Sequence, residues 1–204
     1  MMMSSPRSQD YRTFLAAAFR EPAAIGAVAP SSTTLARTLA SVVPSTGQPV
    51  VVELGPGTGS VSAAIQRRLP AGARHIAIEA NRNLAEHVRE TQPAVEVVHG
   101  DAGDLIPLLA GQGLCRVDAV VSGLPWTLFP LPVQRRILDQ IGIVLAPGAA
   151  FTTFAYLHAR ALAGARRFHH LVRDAFDEVI VGRTVWANVP PARVYVCRRA
   201  VRSG

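Results

Sequence analysis

The chain of 204 residues has no lysine: every one of its 21 basic residues is arginine, a uniformity that reads as composition bias rather than as a patterned charge. Cysteine is almost absent too. Cys115 and Cys197 form no CxxC pair and have no histidine at metal-ligand spacing, which excludes a disulfide scaffold and a structural zinc site and leaves two buried, reduced thiols as the expectation. No apolar run reaches the ~18 residues of a membrane-spanning helix. The opening Met1-Met2-Met3-Ser4-Ser5-Pro6-Arg7 lacks the basic and then apolar regions of a secretory signal, so a cytoplasmic location is expected, with peripheral contact at the inner membrane face as an extension of it.

What is present suits one globular domain with a substantial core: 49% of the residues are hydrophobic and 17% charged. The formal net charge is +7. Nine arginines follow Tyr156 against only Asp174, Asp177 and Glu178, so the last quarter holds nearly all of the excess. Such a surface fits an anionic partner, whether a membrane, a nucleic acid or a phosphorylated substrate.

Residues 1–10 are polar and expected to be disordered. Tyr11, Phe14, Leu15, Ala18 and Phe19 then recur at helical spacing beside Arg12 and Arg20, before Pro22 ends the pattern. Ser31-Ser32-Thr33-Thr34 offers N-cap hydroxyls to a second helix with an apolar stripe of Leu35, Leu39, Val42 and Val43. The stretch 11–47 is therefore read as a helical extension, either packed on the core or serving as a lid or membrane contact.

From residue 48 to 204, strands and helices alternate. Short apolar runs at 50–54, 75–79, 95–98, 117–121, 149–155, 178–183 and 193–199 predict seven strands. Val61, Ala64, Ile65 and Leu69, then Leu84 and Val88, then Val133, Ile137, Leu138, Ile141, Val144 and Leu145 predict the intervening helices, with another over 161–175 that carries His169 and His170. The alternation predicts an α/β fold, a mostly parallel sheet with helices on both faces.

The run Val50-Val51-Val52-Glu53-Leu54-Gly55-Pro56-Gly57-Thr58-Gly59 is a buried strand entering a glycine turn at a helix start. Gly55, Gly57 and Gly59 admit positive φ and leave backbone bare for a ligand, while Glu53 can accept hydrogen bonds from a cationic amine. An acid before the turn would repel a pyrophosphate, so ExGxGxG suits the amino-acid end of S-adenosylmethionine better than a dinucleotide. A merely structural strand-to-helix corner is the alternative. Two more acids strengthen the ligand reading. Glu79, followed by Ala80, ends the second strand, where a carboxylate can take both ribose hydroxyls, and Gly100-Asp101-Ala102 follows the third, where Asp101 can meet the adenine amino group. Taken singly, Glu79 could be a solvated strand-end charge and Asp101 part of a common turn.

After the fourth strand comes Ser122-Gly123-Leu124-Pro125-Trp126, at the same edge of the sheet. Here the chain resembles the class I methyltransferases, in particular the bacterial phospholipid N-methyltransferases that act on phosphatidylethanolamine towards phosphatidylcholine. The similarity runs through Phe19-Arg20-Glu21-Pro22, Gly26-Ala27-Val28-Ala29-Pro30-Ser31-Ser32, the glycine turn, 122–130 and Trp186-Ala187-Asn188-Val189-Pro190-Pro191-Ala192. The second and last of these separate it from the ribosomal RNA adenine dimethylases, which usually have Asn where Ser122 stands.

The resemblance implies a Rossmann-like, seven-stranded sheet whose last strand is antiparallel. It also implies S-adenosylmethionine as donor, S-adenosylhomocysteine as product, and no metal. Ser122, Gly123, Leu124, Pro125 and Trp126 would hold the acceptor nitrogen, with Ser122 also contacting the donor, Trp126 walling the pocket and Tyr156 offering an orienting hydroxyl. A buried loop and a core tyrosine are the structural alternatives. The expected acceptor is a lipid amine, with a small molecule of secondary metabolism, ribosomal RNA adenine, or cofactor binding without catalysis as rival readings. Nucleic acid is not the expected partner; contact with an anionic membrane through Tyr11, Phe14, Phe19 and nearby arginines is.

Overall fold

The computed structural model describes residues 31–157 and 163–201. The expected disorder of 1–10, the aromatic helix and its membrane-facing Tyr11, Phe14 and Phe19 lie outside the described residues.

Seven strands form one sheet: β1 (Val50–Leu54), β2 (Arg74–Glu79), β3 (Glu96–His99), β4 (Val117–Ser122), β5 (Leu145–Tyr156), β6 (Phe176–Val185) and β7 (Ala192–Ala200). The order is β3-β2-β1-β4-β5-β7-β6. The first five strands pair in parallel, and β7 inserts antiparallel between β5 and β6. All seven expected strands are present, as is the antiparallel last one.

Among the described residues six α-helices cover the sheet: α1 (Thr33–Leu39), α2 (Ser60–Gln66), α3 (Arg82–Thr91), α4 (Leu105–Ala110), α5 (Leu131–Val144) and α6 (Ala163–Ala175). Alternation along the strands sorts the core into two layers. Val52, Leu54, Ile76, Ile78 and Val120 pack with α4, α5 and α6, whereas Val51, Ala119 and Val121 pack with Leu35 and Leu39 of α1 and Val61 and Ile65 of α2. The opposite parity puts Glu53 on the α2 side with Val51, so a carboxylate enters the core of that layer.

Local chemistry sets the helix starts. Ser32 caps α1 by accepting from Leu35 N at 3.2 Å, as its hydroxyl promised. Asn81 caps α3 by accepting from Asn83 N and Leu84 N. The α1 stripe ends sooner than its periodicity suggests, with a 3-10 turn over Ala40–Val42 carrying the chain to Val43.

Two expectations change. Strand β5 begins at Leu145, directly after α5, not at 149: Leu145 pairs with Val117 before Pro147 and Gly148 bulge out, and pairing resumes at Ala150 with Ala119. Cys115, expected to be buried, is exposed in the turn before β4. Cys197 is buried in β7, and burial pushes its thiol up to about 12, so it stays protonated and unreactive.

Candidate active site

The parallel strands β1, β2 and β4 end side by side, and their exits are stitched together. Gly55 N–H donates to Ile78 O at 2.9 Å, and Gly123 N–H donates to Leu54 O at 2.8 Å. Gly55, Gly57 and Gly59 have φ of +71°, +56° and +84°, the left-handed region that a side chain disfavours. A Cβ on Gly55 would lie 2.8 Å from Leu124 Cδ2, and one on Gly123 would lie 2.6 Å from Gly55 O. The glycine turn and the β4 loop therefore touch backbone to backbone. Gly57 has nothing within 4 Å of the same position, so its bare backbone faces open space where a ligand can lie.

The three acids have different surroundings. Glu53 is fully buried: its Oε2 accepts from Ser62 Oγ at 2.6 Å and faces His75 Nε2 at 3.1 Å. His75 Nδ1 lies 2.9 Å from Gln66 Nε2, which can only donate, so the ring proton stays on Nε2 and points at the carboxylate. Glu53 Oε1, also buried, has no hydrogen-bond partner among the described residues. A half-satisfied buried carboxylate is costly unless a cation completes it.

Glu79 is 1% exposed, and its carboxylate takes Gly57 N–H at 3.2 Å and Asn81 N–H at 2.9 Å. Burial holds its carboxyl above the usual range, against the opposing pull of those backbone donors. Adjacent Ala80 follows at the strand exit. Asp101 Oδ1 accepts from Gly103 N at 2.7 Å, capping a short 3-10 turn that begins at Ala102, and Gly100 N–H donates to Glu79 O. Glu79 thus ends β2 and Asp101 follows neighbouring β3, as their sequence positions predict.

The loop after β4 is braced from inside. Ser122 Oγ accepts from Leu124 N at 3.2 Å and from Trp126 Nε1 at 3.1 Å. Gln134 of α5 donates to Trp126 O at 2.6 Å and Phe129 O at 3.0 Å. Where sequence suggested an indole walling an open pocket, the Trp126 ring is only 1% exposed, stacked on Phe168 at 4.8 Å and set edge-on to Phe151. Its hold on the loop runs through Ser122. Pro125 leads into the 3-10 turn Trp126–Leu128.

Tyr156 ends β5 half-buried, with its ring edge-on to Phe154 at 5.2 Å, and burial raises its phenol. In the β6–β7 turn Asn188 is buried; its Oδ1 accepts from Ser32 N at 2.8 Å. Two of the segments that carried the family resemblance, one ending in Ser31-Ser32 and the other spanning Trp186–Ala192, meet through this bond. His169 and His170 lie on α6, where the His169 ring packs near Tyr195, apart from the glycine turn.

Sequence reasoning missed the braces. Gln134 falls on the apolar stripe of α5 with Ile137, Leu138 and Ile141, and a buried polar group on such a stripe was the available signal. Ser62 and His75 could have been found by noting that a carboxylate on the buried parity of β1 needs donors.

The arrangement offers a side-chain-free cradle, an unpartnered buried carboxylate oxygen, two further carboxylates along the strand exits and a backbone-lined loop across from them. It fits a ligand with a cationic amine at one end and a hydroxylated nucleoside at the other. Among the described residues no group of His, Cys, Asp and Glu is placed to hold a metal ion, and no helix is long and apolar enough to cross a membrane.

Residues 51–148 match the family described as a methyltransferase domain. The ornithine lipid N-methyltransferase of Singulisphaera acidiphila is 35% identical over 196 residues, covering 93% of this chain and 96% of that protein. Ribosomal RNA small subunit methyltransferase A of Chlorobaculum tepidum is 36% identical over 148 residues, covering 69% of this chain but only 51% of that protein. Among solved structures, the TehB-like S-adenosylmethionine-dependent methyltransferase of Corynebacterium glutamicum superposes with a TM-score of 0.60 at 14% identity, covering 94% of this chain and 99% of that one.

Proposed function

The chain belongs to the class I S-adenosylmethionine-dependent methyltransferases, and we propose that its methyl acceptor is the amine nitrogen of a lipid headgroup. The observation that carries this reading is the end-to-end similarity to an ornithine lipid N-methyltransferase, where the ribosomal RNA relative is matched over about half its length. The finer expectation of phosphatidylethanolamine stands beside ornithine lipid, since both present an amine on an amphiphile.

When bound, S-adenosylmethionine supplies an electrophilic methyl group on a sulfonium. Glu53 Oε1 would receive the ammonium of the donor, which would complete the buried carboxylate, while Ser62 and His75 hold the other oxygen. The bare backbone of Gly55, Pro56, Gly57, Thr58 and Gly59 would line the donor's path. Glu79, with Ala80 beside it, would take the ribose hydroxyls, and Gly100, Asp101 and Ala102 would read the adenine. The backbone carbonyls of Ser122 and Gly123 orient the acceptor amine, with Leu124 and Pro125 fixing the loop and excluding water. Burial keeps the Tyr156 phenol protonated, so it serves as an orienting hydroxyl and not as the base.

The test is methyl transfer from labelled S-adenosylmethionine by the full chain, with phosphatidylethanolamine, ornithine lipid, free ethanolamine and small-subunit ribosomal RNA offered in turn. Label in a lipid amine supports the reading. Equal label in free ethanolamine, or label in RNA alone, overturns it.

A further inference from the structure

The turn between β6 and β7, residues 186–191, stands at the active-site edge because β7 runs antiparallel to β5, so that Ala192 pairs with Tyr156. Two strand spacings, roughly 10 Å, separate the start of β7 from the end of β4. Trp186 is 72% exposed and Val189 71%, the two most exposed large apolar side chains among the described residues.

The turn is anchored. Asn188, between the exposed pair, is 2% exposed, accepting from Ser32 N at 2.8 Å and donating to Pro190 O at 2.7 Å. Pro191 O accepts from Leu157 N at 2.8 Å, and Val185 and Ala192 at its base are buried with Leu35 and Leu39. An indole and an isopropyl group are thus held in water on a fixed platform, at a cost that a partner would remove.

The charge beside them is of one sign. Arg183 is exposed, and Arg193 donates through Nε to Thr184 Oγ1 at 3.1 Å, which holds its guanidinium at the base of the turn. From Val179 to the last residue there is no Asp or Glu. An indole beside an aliphatic side chain, flanked by guanidinium groups, matches the boundary between acyl chains and anionic headgroups. A nucleic acid would employ the indole and the arginines but has no use for Val189.

We propose that the β6–β7 turn docks the enzyme on an anionic lipid surface, with Trp186 and Val189 entering the headgroup layer while Arg183 and Arg193 meet its phosphates. The proposal rests on the lipid-amine reading: docking there brings the end of β4 against the layer that holds the amine.

The chain has two tryptophans, and Trp126 is buried, so a change in fluorescence on docking reports Trp186. Mixed phosphatidylglycerol and phosphatidylcholine vesicles shift the emission of the full chain to the blue and shield it from acrylamide. Phosphatidylcholine alone does so weakly. Trp186→Ala lowers vesicle partition by about tenfold or more, and Val189→Asp weakens the shift while keeping the reporter. Both variants melt at the wild-type temperature and retain wild-type transfer to an amine lipid dispersed in detergent.

Lipid methylation in detergent without a Trp186 shift on vesicles, or vesicle binding by Trp186→Ala equal to wild type, overturns the docking proposal alone. A shift on vesicles with no lipid amine methylated overturns the functional reading alone. A shift with small-subunit ribosomal RNA and none with vesicles assigns the turn to nucleic acid and overturns the proposal.

Discussion

On the β2–β1 side of the sheet the carboxyl edge buries charge, with Glu53 and Glu79 sunk among backbone donors and polar side chains. On the β5–β7–β6 side the same edge exposes apolar surface, with Trp186 and Val189 standing in water. A buried carboxylate needs donors at set positions, which ties its residue type to the turn that surrounds it. An exposed indole is demanded by nothing in the fold. The first side is therefore set by the needs of buried charge, and the second by something outside the fold that its apolar surface meets.

The sharpest break comes between the two sides, where the glycine turn meets the loop after β4. Gly123→Ala puts a Cβ 2.6 Å from Gly55 O, backbone against backbone, so neither strand exit can yield cheaply. We expect roughly 2–4 kcal/mol of lost stability and, because the loop and cradle separate, a loss of about a hundredfold or more in kcat/KM. Thermal melts and a transfer assay measure both.

Next is the pH dependence of donor binding. Because burial raises the Glu79 carboxyl, acidification protonates it before an ordinary glutamate, and affinity for S-adenosylmethionine falls as pH drops through that raised value. Glu79→Gln is weaker by roughly tenfold near neutrality and loses that slope. Stability runs the other way. The folded state binds this proton more tightly than the unfolded chain, so the buried charge costs stability above the window and the cost is relieved as pH falls through it. Calorimetric titrations and melts across pH check the two signs separately.

Asn188→Ala acts on the other side alone. Losing both of its hydrogen bonds costs about 1–3 kcal/mol, leaves donor affinity unchanged and raises the KM for a lipid acceptor several-fold. An altered donor affinity would erase the distinction between the sides. The smallest effect is expected for Trp126→Phe, which removes the Nε1 donor to Ser122 and leaves a small void, about 1–2 kcal/mol in a melt. A modest fall in transfer rate accompanies it, with donor affinity intact.

The strands were legible because β-branched runs bounded by glycine and proline admit few other structures, and all seven appear. The start of β5 was not, since Pro147-Gly148 reads as a turn and only pairing with Val117 carries the strand through it. Spacing alone put Glu53, Glu79 and Asp101 at one edge. Sequence could not show that Trp126 turns inward onto Phe168, which depends on where α6 lies, or that Gln134 reaches back to the loop from a helix eight residues on. The bond from Ser32 to Asn188 joins segments 156 residues apart, beyond any local pattern.

The site assignment rests most directly on one calorimetric comparison of S-adenosylmethionine binding to the wild type and to Glu53→Gln. The amide oxygen can keep Ser62 and His75 while an NH2 replaces the unpartnered Oε1 and opposes the incoming ammonium. An unchanged melt and a dissociation constant raised by more than about tenfold are expected. Equal constants in a folded variant would contradict it.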